Sequence, residues 1–539
     1  MAGSASRPSL SRAHILLLAI NFTSASDLQS LVSLKYLHPT VLTPETTLTV
    51  LLFLPESLQP STYLSFIDSI LDGSDAPSIA ASNGSRSQPE VDTSSISDLS
   101  EKIVERKVDR LLATVPKLSN VVAEETPLGR QELVAEWLRL RSKAIDSETG
   151  MLSSVESLLV PYLRRLPKVD AYYNGTVKVL SRMIYEYDDR AGQGFDEEES
   201  ECENQDRTEK TLIRGLAQFE ALPVSAGVKQ LLSRTSYNTV FRDLSTLIIP
   251  YLQNQEFTSK LQGWKVFWEW LVSQDLRTNY EVFMNWSGPL GYGEAENPLA
   301  LEYARTGMAV CYLCEDTCLD SWEMMNKIQK RIVDILGPQH LRLGLSLQPF
   351  NRELYSGDLR AKLAINELLS AENKLTNPTI ESLDLLGYMI TAARLLSATL
   401  YSTVHIRLSG TKEAQNMLLV RYVRSGNWVK RTDQEWHSII EAARWMRATA
   451  GVFEQLTTQD CEEVLAKSLL SAAKFKLVED IYIKNSTYRT ALGMKTFERA
   501  ALDAFQEFYD NASNGNMTRG GMKNAQFAYA LFFLWFSLN

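Results

Sequence analysis

Cys311, Cys314 and Cys318 are the residues of this chain whose type and spacing come nearest to doing chemistry. Two cysteines with two residues between them, and a third after three more, resemble half of a zinc site, with His340 as a conceivable fourth ligand. Zinc sites, however, favour ligand pairs carried on separately anchored elements. Steps of three and then four residues place all three thiols on one face of a helix. The same face runs back through Gly307, Ala304 and Ala300. A stripe of small residues lets a neighbouring helix approach closely, and a free cysteine behaves as a small buried hydrophobe. The spacing therefore predicts packing, with Cys311 and Cys314 buried against an adjacent helix and no metal.

Other chemistry is thinner. His14, His38, His340, His405 and His437 are scattered, and none falls in an H-E-x-x-H frame. No G-x-S-x-G, Walker loop or G-x-G-x-x-G occurs. Thr518-Arg519-Gly520-Gly521 has the glycines of a phosphate loop, but lacks a Gly-Lys-Ser/Thr ending and a preceding strand. No residue is assigned a catalytic, cofactor-binding or metal-binding role, no cofactor is implied, and the chain is not expected to be an enzyme. Partner-binding residues are left unassigned.

Aromatic side chains crowd two regions. Phe257, Trp264, Phe267, Trp268, Trp270, Tyr280, Phe283, Trp286 and Tyr292 fall within 36 residues, and Trp428, Trp436 and Trp445 within 18. Such side chains anchor interfaces, yet core is the default because large rings dominate buried area. Trp264, Phe267, Trp268 and Trp270 point around most of a helix circumference, so one of them should lie outside a one-sided core.

Stepping from these residues to the elements that carry them, apolar side chains recur at helical spacing along most of the chain. Ile103, Val108, Leu111, Leu112 and Val115 form one stripe, stopped by Pro116; Leu133, Val134, Trp137, Leu138 and Ile145 form the next. Further stripes include 228–252, 298–316, 379–402, 433–449, 460–482 and 495–509. Strand-like alternation is scarce. Prolines such as Pro44, Pro60, Pro167, Pro223 and Pro250 mark element boundaries, where a missing N–H costs least. Residues 72–97, rich in Ser, Asp, Asn, Gly and Pro, and the acidic run 188–206 read as solvated loops. Degenerate helix pairs of this kind predict an all-α fold, an elongated α-solenoid of irregular helix pairs.

Composition narrows the function. With 539 residues, 45% of them hydrophobic and 22% charged, the chain can bury a large core. A formal charge of −10 argues against nucleic acid as a partner, since that surface demands a basic face. Nothing in it points to a small-molecule substrate. Five cysteines, odd and sparse, fit a reducing compartment. The apolar run from Ala13 to Phe22 mimics a signal peptide, but His14 and Asn21 interrupt it and Leu28, Leu31 and Leu34 continue its period. It predicts a buried first helix. Phe527 to Leu538 is almost wholly apolar, yet its twelve residues fall short of the roughly 20 needed to cross a bilayer.

Three stretches carry a resemblance to a known family. Ala13-His14-Ile15-Leu16-Leu17-Leu18-Ala19 is followed by Leu54-Pro55-Glu56-Ser57-Leu58-Gln59-Pro60-Ser61-Thr62-Tyr63. A central segment reads Trp428-Val429-Lys430-Arg431-Thr432-Asp433-Gln434-Glu435-Trp436, and the most distinctive runs from Phe508 through Asn511-Ala512-Ser513-Asn514-Gly515-Asn516 to Lys523. In these the chain resembles the Sec39 family, helical subunits of the Dsl vesicle-tethering complex at the endoplasmic reticulum. The resemblance implies a non-enzymatic, peripheral protein on the cytosolic face of that membrane. It implies a bridge between a tether subunit and SNARE proteins in Golgi-to-ER retrograde transport, linked indirectly to coatomer vesicles. Periodicity alone leaves a second reading, a helical-repeat adaptor of a coat, nuclear pore or proteasome. The expected organisation is a solenoid over 1–525 with an apolar tail at 526–539. That tail is too apolar for a terminal cap, and is expected to be a gene-model artefact or, alternatively, a short membrane-surface anchor. The Asp, Asn and Gly density of 510–523 predicts a joint between two helices.

Overall fold

Helices make up the regular structure, and no strand occurs among the described residues. In the computed structural model these are residues 10–73, 91–94, 96, 99–118, 126–186, 215–233, 235–289, 298–343, 363–513 and 515–537. The expected loop 188–206 lies outside them, as does most of 72–97. The fold is all-α, as the periodicity required. Two compact units are present, one of Met1–Thr235 with Arg242–Trp264, the other of Ser236–Phe241 with Lys265–Asn539.

Helix starts follow local chemistry. Ser11, Asp27, Thr43, Thr126, Asp275, Thr399 and Thr411 each accept the backbone N–H three residues on, pairing one of the donors that a helix leaves free. Thr379 with Ser382, Thr432 with Glu435 and Thr457 with Asp460 close reciprocal capping boxes. The first helix, Arg12–Ser24, buries Ile15 to Ile20, and no single described helix is long and apolar enough to cross a membrane. Leu133, Val134, Trp137, Leu138 and Ile145 are all buried on helix Pro127–Thr149.

Several expected stripes need correction. Helix Glu101–Leu112 buries Val104 and Val108, and Ile103 is 54% exposed, because the face that meets Arg12–Ser24 is centred one residue later than the sequence stripe. The spans 228–252, 379–402 and 460–482 each divide into two. Residues 233–239 interrupt the first, and Ser397 (φ 48°) and Ala473 (φ 56°) close a helix in the left-handed conformation in the others. The N–H groups of Ala398 and Lys474 then return to the carbonyls of Ala393 and Leu469, a six-to-one closure. Neither closing residue is glycine, so nothing local announces the break.

Pro250 also departs from expectation. It sits inside a continuous helical run rather than at a boundary, directly after a π turn at Leu244–Ile248. A proline there removes the bond to the carbonyl of Thr246. Arg182 donates to that oxygen instead, at 3.2 Å.

The same device recurs at several other helix ends. Arg141, on Pro127–Thr149 and fully buried, donates to the Leu54 and Pro55 carbonyls at 2.7 and 2.6 Å, just beyond helix Pro44–Leu51. Arg331 donates to Phe283 O at 3.3 Å in the last turn of Leu276–Asn285. Arg407 donates to Ala450 O after Asp433–Ala448, and Arg431 to Val423 O at the end of Lys412–Val423. Terminal carbonyls lack helical partners, carry the negative end of the helix dipole, and here receive a cation that does not deprotonate.

Arg141→Met keeps most of the volume but leaves the buried Leu54 carbonyl unpaired, while the Pro55 carbonyl keeps the Leu58 N–H. It should destabilise the first unit by about 1–3 kcal/mol, the cost of a buried acceptor left without a donor. Urea unfolding of the variant would measure this, and a loss under about 1 kcal/mol would deny Arg141 its structural role.

Candidate functional site

The cysteine run splits between three environments. Helix Pro298–Leu313 carries Cys311, fully buried with Sγ 4.0 Å from Met325 O on the following helix, Leu319–Leu343. The helix ends at Leu313, one residue short of Cys314, which is buried in the connection. Cys318 is exposed and sits at the start of the next helix. Its Sγ lies 3.0 Å from Ser321 Oγ and accepts the Ser321 N–H at 3.4 Å. The three thiols therefore do not share one helical face, contrary to the spacing argument. Glu315 and Asp316 would extend the helix into its own negative end, whereas before the next helix they lie at a positive one.

Burial pushes the Cys311 and Cys314 thiols up, while the hydrogen bond from Ser321 holds Cys318 below the usual thiol range. The side chain of His340 is outside the described residues. No group of three His, Cys, Asp or Glu side chains among the described residues gathers closely enough to share a metal ion. The small stripe does pack closely: a Cβ on Gly307 would come within 2.8 Å of both Ile332 and Phe283.

The first aromatic cluster is core. Trp264, Phe267 and Trp268 are buried, and Trp270 is the half-buried member, stacked on Phe267 at 6.0 Å. In the second unit Phe283 and Tyr303 stack at 4.4 Å, and Tyr303 donates to Trp286 O and Trp268 to Glu302. Tyr292 lies outside the described residues.

Apart from Ala13–Ala19, which lies inside the first helix, the distinctive stretches are joints. Leu54 and Pro55 hold Arg141. Residues 508–523 link helix Met494–Asp510 to Gly520–Ser537, as expected, and a Cβ on Gly521 would lie 2.9 Å from the Phe508 carbonyl oxygen. The second helix turns Ala525, Ala528 and Leu531 inward and leaves Phe527, Tyr529, Phe533 and Leu534 exposed. In the middle stretch Arg431 lies over the buried Trp436 ring, and Trp428 meets Trp436 edge to face at 6.4 Å.

That middle joint closes one end of an open groove of about 330 Å³ between helices Lys412–Val423 and Thr458–Ser471. Lys412 and Asp460 bridge one end at 2.7 Å. At the other, Arg424 donates to Ser468 Oγ at 3.3 Å and lies 5.3 Å from the Trp428 ring centre. Val420 and Val464 line the groove between them. Sequence reading missed this feature, whose lining charges, Lys412, Arg424 and Lys467 against Glu413, Asp460 and Glu463, come from two separate helices and leave no local signal.

The profile of the family described as secretory pathway protein Sec39 matches residues 16–536. The protein transport protein sec39 of Schizosaccharomyces pombe is 24% identical over 345 residues, an alignment that takes in 58% of this chain and 41% of that relative. The chain thus matches under half of the relative's length.

The thiol environments make the packing testable. Maleimide at neutral pH should label Cys318 in the native chain and reach Cys311, Cys314 and Cys461 only on unfolding, read by peptide mass spectrometry; burial pushes the last up to about 12. Cys311→Ala with Cys314→Ala should cost about 1–2 kcal/mol. Stoichiometric zinc in the wild type, lost in that double variant, would overturn the packing account.

Proposed function

Because the chain belongs to the Sec39 family of secretory pathway proteins, we propose that it is a non-enzymatic scaffold subunit of an endoplasmic reticulum tethering complex. It sits peripherally on the cytosolic face of that membrane and binds SNARE proteins and a tether subunit in Golgi-to-ER retrograde vesicle transport. A role in protein transport follows from the family and from the relative's own name. The family match over residues 16–536 is the observation that carries the finer reading.

The physical character of the chain supports it. A protein whose distinctive residues are helix joints has been selected for the placement of surfaces. Arg141 and Arg431 pin two of those joints, and Arg407 pins the chain after Asp433–Ala448, so surfaces on neighbouring helices keep their spacing, which a partner bound across several helices needs.

Affinity purification of the tagged full-length chain, with quantitative mass spectrometry against an untagged control, tests the assignment. Tether subunits and endoplasmic reticulum SNAREs should be enriched together. Enrichment of coat, nuclear-pore or proteasome subunits in their place would replace this reading with that of another adaptor.

A further inference from the structure

Helix Gly520–Ser537 turns one apolar face inward and exposes a second. Ala525, Ala528 and Leu531 are buried on the side of helix Met494–Asp510. Phe527, Tyr529, Phe533 and Leu534 are each between 44% and 54% exposed, and Ala530 is exposed between them. Helical spacing joins these into one strip, with Lys523 at its start. Neighbouring rings widen it. Phe475 stacks on Phe527 at 5.7 Å, and Phe505 meets Tyr529 at 5.4 Å. All of these residues belong to the second compact unit.

An exposed apolar strip marks a contact, and area, directionality and charge select its partner. Four half-exposed side chains, each offering about 150–250 Å² in full, present roughly 400 Å² per chain. Two copies paired through the strip would bury about 800 Å², short of the roughly 1,200 Å² of a stable interface. A protein partner is also held in register by about one hydrogen bond per 100–200 Å². Phe527, Ala530, Phe533 and Leu534 have no polar side-chain atom, and the Tyr529 hydroxyl lies at the edge of the strip. Such a face suits a fluid phase.

A lipid surface presents phosphates, which repel carboxylates. From Asn511 to Asn539 the chain has none, only Arg519 and Lys523, although its formal charge is −10. On the helix alongside, Asp503 and Glu507 turn to Lys467 and Ser471 of Thr458–Ser471. Lys495, Arg499, Arg519 and Lys523 then stand against Glu498 and Asp510, and Asp510 already takes the Gln506 amide. Lys523 lies 5.7 Å from the Phe527 ring centre, so cation and apolar strip adjoin. An amphipathic helix lying alone on a membrane needs a charged face for water. This one does not, because its second face is packed against protein.

We propose that the strip dips into a lipid surface, with Phe527, Phe533 and Leu534 at the acyl boundary, Tyr529 at headgroup level, and Arg519 and Lys523 on the phosphates. The proposal supplies the contact that the peripheral placement above calls for, and rests on that reading only for which membrane is met. Purified lipid tests it apart from any tether or SNARE partner, so either can fail alone.

The test is flotation of the full-length chain with phosphatidylcholine vesicles, with and without phosphatidylserine. The chain should float with both and stay bound at high salt, because apolar insertion is not screened. Phe527→Ser with Phe533→Ser should lower the partition by about tenfold or more, with the circular dichroism spectrum unchanged. Hydroxyl-radical footprinting of the wild-type chain, which needs no variant, should show Phe527, Tyr529 and Phe533 protected by vesicles. Absence of flotation, flotation only with phosphatidylserine and lost in salt, or unchanged reactivity of those rings would each overturn the proposal. Sedimentation showing that the chain pairs with itself through the strip, with no vesicle binding, would overturn it equally.

Discussion

The constraint on which this structure rests is the unpaired carbonyl at the end of each helix. A chain built from many short helices has many such ends, and packing carries them inside, where an unpaired acceptor costs about 1–3 kcal/mol. Here guanidinium groups meet several of them, Arg141 and Arg407 from other helices and Arg431 from the connection that follows. Arg141 serves the chain after Pro44–Leu51, Arg407 the chain after Asp433–Ala448, and Arg431 the end of Lys412–Val423. Arginine suits the task because its donors are several, planar and permanently charged. Arg141 and Arg407 join a helix end to residues distant in sequence, so termination and tertiary packing are one event there, whereas Arg431 closes its end from eight residues on.

Ion pairs reinforce the same joints. Arg444 binds both oxygens of Glu462 at 2.8 Å, and Tyr482 donates to the same carboxylate at 2.8 Å. With Glu462 2% exposed, this network is screened little by solvent, unlike the exposed i,i+4 pair Lys327–Glu323. Burial, with the carboxylate beside it, raises the Tyr482 hydroxyl well above its ordinary value, which keeps the tyrosine a donor. Three helical segments are thereby held by one buried anion.

This economy explains how a scaffold acquires surfaces to spare. Because backbone ends and joints are satisfied internally, side chains on outer faces are released from structural duty. Arg431 is consumed by its carbonyls and the Trp436 ring, whereas Arg424, seven residues earlier, keeps most of its donors. The same aromatic joint therefore places one arginine on backbone carbonyls and leaves the other over the Trp428 ring with a single side-chain bond to Ser468.

Much of the architecture was legible from the chain alone, because helix formation and helix starts are local. Period-3.6 stripes predicted the all-α fold, and the stripe from Leu133 to Ile145 is buried as written. Thr and Asp caps mark helix starts, since a side-chain oxygen and an N–H three residues on lie within one turn. Helix ends without glycine were not legible: Ser397, Ala473 and the stop at Leu313 depend on what packs there. Nor could the sequence tell Arg141, buried on two carbonyls, from Arg424, open in a groove, since both are arginines on amphipathic helices. The difference lies in residues up to 87 positions away. Only the tertiary structure brings those carbonyls to one guanidinium and leaves the other without them.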